Sequence, residues 1–408
     1  MSTEPPVSPS RPAFSRWIGA SNNITQQFMA MGIDPEFISL AGGLPAAEFY
    51  PGAAIAVASE KALSRWGSAA LEYGPIEGFS ALREHIAQRV GQEAGRRFTA
   101  DNVLLTAGAM QGLDLLGKVL VDPGDRIIAQ FPTYVGALDA WRPRSPVYEP
   151  LDWSDCGTGV EALRRAKFVY SVPNYSNPTG ALVPTEARQA LLEKVLEAGT
   201  WLVEDDPYLP LQYDGAAGPS ILALHARMEP RGAYDGPVVY LGTLSKSIVP
   251  GLRVGWTIAS RDMIQAMALA KQSSDISSSM LTQAIALELL EAGFEGTHVP
   301  TIVRHYRERR DALCAAAEAQ LSEWFEWETP PGGMFVWMRA RNPQINTDAL
   351  YAAALREKVA FVPGSVFDPT GRLQSAMRVN FSRNAPDVLE EGISRLASAT
   401  KRLLDSNF

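Results

Sequence analysis

Only two cysteines, Cys156 and Cys314, occur in 408 residues. No disulfide framework can hold such a chain, and two free thiols in a reducing compartment are the expectation. Histidine is nearly as scarce. His85, His225, His298 and His305 lack the spacing with carboxylate or cysteine partners that a zinc centre needs, so no metal site is expected. No apolar run is long enough to span a bilayer. Positive charge is not in excess either: the formal net charge is −8, which gives little support to nucleic-acid binding. Small anionic ligands would have to find local cations, because the field of the whole chain repels them mildly. Nucleotide-type glycine loops and internal repeats are absent. The opening MSTEPPVSPSRPAF has no apolar signal core and is rich in proline and serine. It reads as a flexible arm, and the protein as cytoplasmic.

What is present is an ordinary globular composition, 46% hydrophobic and 20% charged, with enough length for more than one lobe. Between about residues 55 and 290 short β-rich runs alternate with helical stretches, the pattern of a parallel sheet covered on both faces. The strand candidates are Asn102–Thr106, Arg126–Gln130, Phe168–Val172, Trp201–Glu204, Val238–Leu241 and Val254–Ala259. Several are apolar without alternation, as strands buried on both faces are. After Gly108, the residues Ala109, Leu113, Leu116 and Leu120 recur at helical spacing until Asp122-Pro123-Gly124-Asp125 stops them. A long helical pattern runs from Leu281 to Gln320, in which Arg304–Arg310 reads as a solvated face. A third region follows, with strands at Phe335–Met338, Phe361–Val362 and Met377–Phe381 and helices at Thr347–Lys358 and Ala385–Leu404. The expected division is an N-terminal arm over residues 1–50 that completes the small lobe, a large domain over 51–290, and a small α+β domain over 291–408.

The segment richest in chemistry is Val239-Tyr240-Leu241-Gly242-Thr243-Leu244-Ser245-Lys246. An apolar strand runs into a loop with two hydroxyls and one lysine. Apolar surroundings disfavour the ammonium form and free the amine to form a Schiff base. Taken alone, a surface lysine closing a strand is the commoner meaning. Its companions decide otherwise. TLSK followed by Pro250-Gly251-Leu252-Arg253-Val254-Gly255, the turn Pro173-Asn174-Tyr175-Ser176-Asn177-Pro178-Thr179-Gly180, and the strand end Glu204-Asp205-Asp206-Pro207-Tyr208 occur together. The set resembles the fold-type I class I/II aminotransferases, enzymes of pyridoxal 5′-phosphate. The likeness covers nearly the whole chain, from Ser39-Leu40-Ala41-Gly42-Gly43-Leu44-Pro45 to Arg378-Val379-Asn380-Phe381-Ser382. AGGLP and EDDPY are similar to the 2-aminoadipate and aromatic amino acid branch.

The resemblance implies an α/β fold like that of aspartate aminotransferase, a mostly parallel seven-stranded sheet between helices with a smaller α+β domain. It also assigns roles. Lys246 would carry the cofactor and move the substrate's Cα proton. Asp205 would keep the cofactor's ring nitrogen protonated, with Asp206 a structural neighbour. Asn177 and Tyr208 would donate to the ring's phenolate oxygen. The phosphate would lie against Gly108, Ala109 and Met110 at a helix start, with Thr243, Ser245 and Arg253 beside it. Family members often have a hydroxyl where this chain has Ala109-Met110, so binding there rests on N–H groups. Tyr134 would stack on the ring. Tyr73, in Leu71-Glu72-Tyr73-Gly74-Pro75, would reach a neighbouring subunit's phosphate and implies a homodimer with shared sites. Arg378 would grip the substrate α-carboxylate, with Gly42, Gly43 and Asn177 close by.

The reaction implied is α-amino transfer from an amino acid to a 2-oxo acid, with 2-oxoglutarate as one partner, by a ping-pong course. A lyase, decarboxylase or cyclase would use the same cofactor residues. A DNA-binding regulator fits poorly, since only about 40 residues precede AGGLP. Ser21–Phe28 carries no arginine where aminoadipate-type members have a basic residue, so a neutral, aromatic or specialised amino acid competes with an acidic one as substrate.

Overall fold

A computed structural model describes residues 13–19, 36–153, 157–228 and 232–406. Cys156, the opening residues 1–12 and the segment Ser21–Phe28 lie outside the described residues.

In chain order the strands are β1 (Ile38–Ser39), β2 (Val103–Thr106), β3 (Arg126–Gln130), β4 (Val147–Leu151), β5 (Ala166–Ser171), β6 (Trp201–Asp205), β7 (Val238–Thr243), β8 (Gly255–Ile258), β9 (Phe325–Glu326), β10 (Phe335–Ala340), β11 (Val359–Ala360), β12 (Val362–Pro363) and β13 (Ala376–Asn380). Seven of them form the large sheet in the order β2-β8-β7-β6-β5-β3-β4. The run from β4 through β3, β5 and β6 to β7 is parallel. β8 is antiparallel to both β7 and β2. The chain between Thr243 and Gly255 is too short for a helical crossover, so it turns back on itself, and this return carries Lys246. β2 is buried at every position, and in β6 only Trp201 is not fully buried. That follows from helices on both faces.

Six of the seven strands stand where the sequence pattern puts them. β4 is the one it misses. Its sequence VYEPL contains Pro150 and is mostly accessible to solvent, as befits an edge strand that pairs on one side only. The long helical pattern is two helices, Met280–Glu291 and Phe294–Leu321, broken at Gly293 with φ +65°. The solvated face expected at Arg304–Arg310 is also corrected. Arg309 and Arg310 are buried, paired with Glu48 and Asp214, and reach the carbonyls of Ser382 and Pro330.

Beyond the large sheet, β12, β13, β10 and β9 form a four-stranded antiparallel sheet. β1 lies parallel to β11, which stitches the early chain to its last part. Among the described residues no helix is long and apolar enough to cross a membrane, and no cluster of three His, Cys, Asp or Glu side chains could hold a metal. The carboxyl ends of the parallel strands point to one crevice, where ligands of open α/β sheets bind.

Candidate active site

A cavity of about 330 Å³ opens at those strand ends, closed on its far side by β12, β13 and the Gly42-Gly43 segment. Each motif delivers one side chain to it. Asp205 ends β6, Thr243 ends β7, Asn177 and Tyr134 follow β5 and β3, and Arg378 sits in β13. Ala109, Met110, Tyr208, Ser245, Lys246 and Arg253 complete the polar half together with the two glycines. Of the sequence-derived candidates, Gly108 and Tyr73 stand outside this lining. Gly108 lies directly behind Arg253. Tyr73 is 77% exposed.

Lys246 Nζ donates to Gly43 O at 2.8 Å. Desolvation, helped by the positive charges of Arg378 and Arg253, pushes its amine down to about 8. Asp205 is buried, and burial pushes its carboxyl up to about 7. Its Oδ2 accepts from Tyr170 Oη at 2.8 Å, while Oδ1 is buried without a partner. An orphaned carboxylate oxygen beside a cavity calls for a donor from a ligand. Arg378 donates to Asn177 Oδ1 at 2.7 Å and to Ala41 O, and its guanidinium lies over Phe335 and Phe367 at 4.2 and 5.0 Å. Burial pushes it down to about 10, so it stays charged at neutral pH. Gly43 gives this stack room: a Cβ there would lie 3.0 Å from Phe335 Cζ, so the ring would have to shift by a few tenths of an ångström.

The opposite end of the cavity is built for an anion. The helix Ala109–Leu120 begins there with no side chain capping it, so its first N–H groups face outward. Gly108 has φ +85°, and a Cβ on it would come 2.5 Å from Arg253 Nη2. Arg253 is held by Ala107 O at 2.9 Å and Pro250 O at 3.2 Å. Ser245 N donates to Thr243 Oγ1 at 3.1 Å, with the two hydroxyl oxygens 2.9 Å apart. Met110 offers no hydroxyl, and its Sδ instead accepts from Tyr134 Oη at 3.5 Å. The groups present therefore fit pyridoxal 5′-phosphate: an unpartnered carboxylate to accept from a ring nitrogen, a desolvated amine for the aldehyde, and a capless helix start with an arginine for the phosphate.

The family model for aminotransferase class I and II matches residues 46–396. The chain belongs to that family. It is an aminotransferase dependent on pyridoxal 5′-phosphate. It is 37% identical to the 2-aminoadipate transaminase of Thermus thermophilus, over 91% of each chain. It is 35% identical to the aromatic-amino-acid aminotransferase 1 of Thermococcus litoralis, over 90% of this chain and 88% of that one. The crystal structure of an alpha-aminoadipate aminotransferase from Thermus thermophilus, complexed with N-(5′-phosphopyridoxyl)-L-leucine, superposes with a TM-score of 0.85. The match covers 96% of this chain and 98% of that one at 34% identity.

The aminotransferase also relies on residues around the site that do not face the cofactor's place, and on apolar ones that no motif marks. Glu204 accepts from the N–H groups of Ile221 and Leu222, capping a helix rather than facing the cavity. Asp206 accepts from Asn174 and Tyr240, which ties the turn after β5 to β7. Leu44, Val135, Val362, Val366 and Phe367 supply apolar wall. Their only signal in the sequence is apolar character, which they share with the whole core.

Proposed function

We propose that this aminotransferase moves an α-amino group from an amino acid to a 2-oxo acid, with 2-oxoglutarate as one partner. The observation that carries the reading is the convergence of one desolvated amine, one buried guanidinium and one unpartnered carboxylate on a single cavity. The cofactor, when bound, supplies an electron sink for the bond broken at the substrate's Cα. Asp205 Oδ1 would accept from its ring nitrogen, and Asn177 and Tyr208 would donate to its phenolate oxygen. Tyr134 would lie against the ring. Thr243, Ser245, Arg253 and the N–H groups of Gly108, Ala109 and Met110 would take the phosphate. Arg378 holds the substrate α-carboxylate, beside Asn177, Gly42 and Gly43. Lys246 Nζ would remove the Cα proton as base and return it as acid to the former aldehyde carbon, on the other side of the amino nitrogen.

Purified holoenzyme mixed with an amino acid and 2-oxoglutarate should form glutamate. Pyruvate or carbon dioxide in its place would mark a lyase or decarboxylase and sink the transfer reading.

The wall of the cavity favours one kind of donor. Among its described lining residues the only cations are Lys246, Arg253 and Arg378, each with a task already. The segment over 20–35 contains no lysine, arginine or histidine. A second carboxylate would be desolvated without a partner, so kcat/KM for leucine, methionine or phenylalanine should exceed that for glutamate or aspartate by roughly 100-fold. 2-Oxoglutarate should accordingly need a higher concentration for half-saturation than a 2-oxo acid with an apolar side chain. Acidic donors reacting as fast as neutral ones would contradict this.

Tyr73, exposed and outside the lining of its own cavity, supports a homodimer in which each copy completes the other's phosphate site. Tyr73→Phe should loosen the cofactor by about 10-fold. Subunits carrying Tyr73→Phe, mixed with Lys246→Ala subunits, should regain one site of full affinity. No recovery in mixed dimers would mean that sites are not shared.

A further inference from the structure

We infer that Tyr170 is a positioning residue for the cofactor, its hydroxyl holding Asp205 Oδ2 so that Oδ1 is the oxygen offered to the ring nitrogen. The inference rests on the proposed reading of Asp205. Tyr170 belongs to β5 and pairs with Val203 of β6, so Asp205, two residues on, projects from the same face of the sheet. The phenol is fully buried. Its ring meets Trp141 edge-on at 5.1 Å, and Trp141 is in turn pinned by donation to Leu113 O at 2.8 Å. Neither ring can swing aside, and bulk water does not reach the hydroxyl.

The groups that face Asp205 are Tyr170 from β5, Tyr134 from beyond β3, Tyr208 from beyond β6, and the adjacent Asp206. Only Tyr170 donates to the carboxylate among the described residues. Asp206 is occupied elsewhere, by Asn174 and Tyr240, and its charge opposes ionisation of Asp205. Burial likewise drives Asp205 toward its neutral acid, and the Tyr170 bond works against both. The phenol's own ionisation is pushed well up by burial and by Asp205, so it remains a donor across the working range.

The sign of the pH effect follows. Removing a donor that favours the carboxylate raises the pH at which Asp205 takes up a proton. A neutral Asp205 no longer stabilises a protonated ring nitrogen, so the loss falls on the acid side. In full-length Tyr170→Phe, the affinity for pyridoxal 5′-phosphate, read by protein fluorescence quenching, should fall about 10-fold near pH 6.5 and approach wild type above pH 8.5. The acid limb of kcat/KM should move up by about one pH unit. Tyr170→His, which keeps a donor in the same strand, should retain most of the wild-type limb. In an Asp205→Asn background, Tyr170→Phe should shift neither profile.

A uniform fall at every pH, equal limbs for the phenylalanine and histidine variants, or an undiminished shift without Asp205 would overturn the inference. If wild type itself failed to bind the cofactor, or bound it without attachment at Lys246, the parent reading would fall instead, and the two failures are told apart by that control.

Discussion

Lys246→Ala should lower the transamination rate by at least about 10⁴-fold while leaving the fold and much of the cofactor affinity intact. Two functions vanish together, the covalent hold on the aldehyde and the movement of the Cα proton. No neighbour can replace them: Arg253 and Arg378 are permanent cations with carbonyl or amide partners. The amine is suited to both tasks because desolvation and those two guanidiniums push it down to about 8. At pH 7 about a tenth of such an amine is neutral, against roughly one part in three thousand for an unperturbed lysine. As pH falls below 8 the amine protonates and attack on the aldehyde slows. As pH rises through 8 the rate climbs and levels off. The rate of cofactor uptake by the cofactor-free protein should trace that curve. Borohydride followed by peptide mass spectrometry should find the pyridoxyl label on Lys246 in wild type and nowhere in the variant. A label on another lysine, or a variant with more than a hundredth of wild-type turnover, would refute the assignment.

Much of this site was legible because its parts are local. TLSK, SNPTG and EDDPY, read through the family resemblance, each place a side chain at or beyond the carboxyl end of a strand of the large sheet, which gathers them into one crevice, while RVNFS brings Arg378 from within β13 of the small sheet. Among the three acids of EDD, strand alternation separates them: Asp205 faces the cavity, while Glu204 caps the helix Ile221–Met228 and Asp206 is held by Asn174 and Tyr240. What the sequence could not show are relations across elements. Tyr170 reads as one more apolar residue of β5 until its neighbour on β6 is known. Val362, Val366 and Phe367 become cavity wall only because the small antiparallel sheet stands over the large one. Arg309 and Arg310 look solvated in a charged helix, yet tertiary packing buries them against partners far along the chain. β4 hides because proline masks an edge strand's signal.

Arg378→Lys is the sharper of the arginine tests, since it keeps the charge and removes the geometry. The guanidinium is planar and already braced: Nη1 donates to Asn177 Oδ1 at 2.7 Å, Nη2 to Ala41 O, and its face rests on Phe335 and Phe367. Its remaining donors include a buried Nε with no partner. An α-carboxylate entering the cavity meets a fork held in place beforehand, so little rotamer freedom is lost on binding. Lysine offers a single ammonium on a flexible stem. It cannot serve Asn177, Ala41 and two carboxylate oxygens at once, nor stack on both rings. The expected loss is about 10²- to 10³-fold in kcat/KM for every amino acid tried, carried mainly by KM because the contact is made equally in ground and transition states. Attachment of the cofactor at Lys246 should be unchanged, which separates a substrate defect from a damaged cofactor site. In wild type Arg378 adds no limb to the pH profile near neutrality, since burial leaves it at about 10 and so charged there. Near-normal KM in this variant would mean that the carboxylate is gripped elsewhere, and the orientation of the substrate over Lys246 would have to be redrawn.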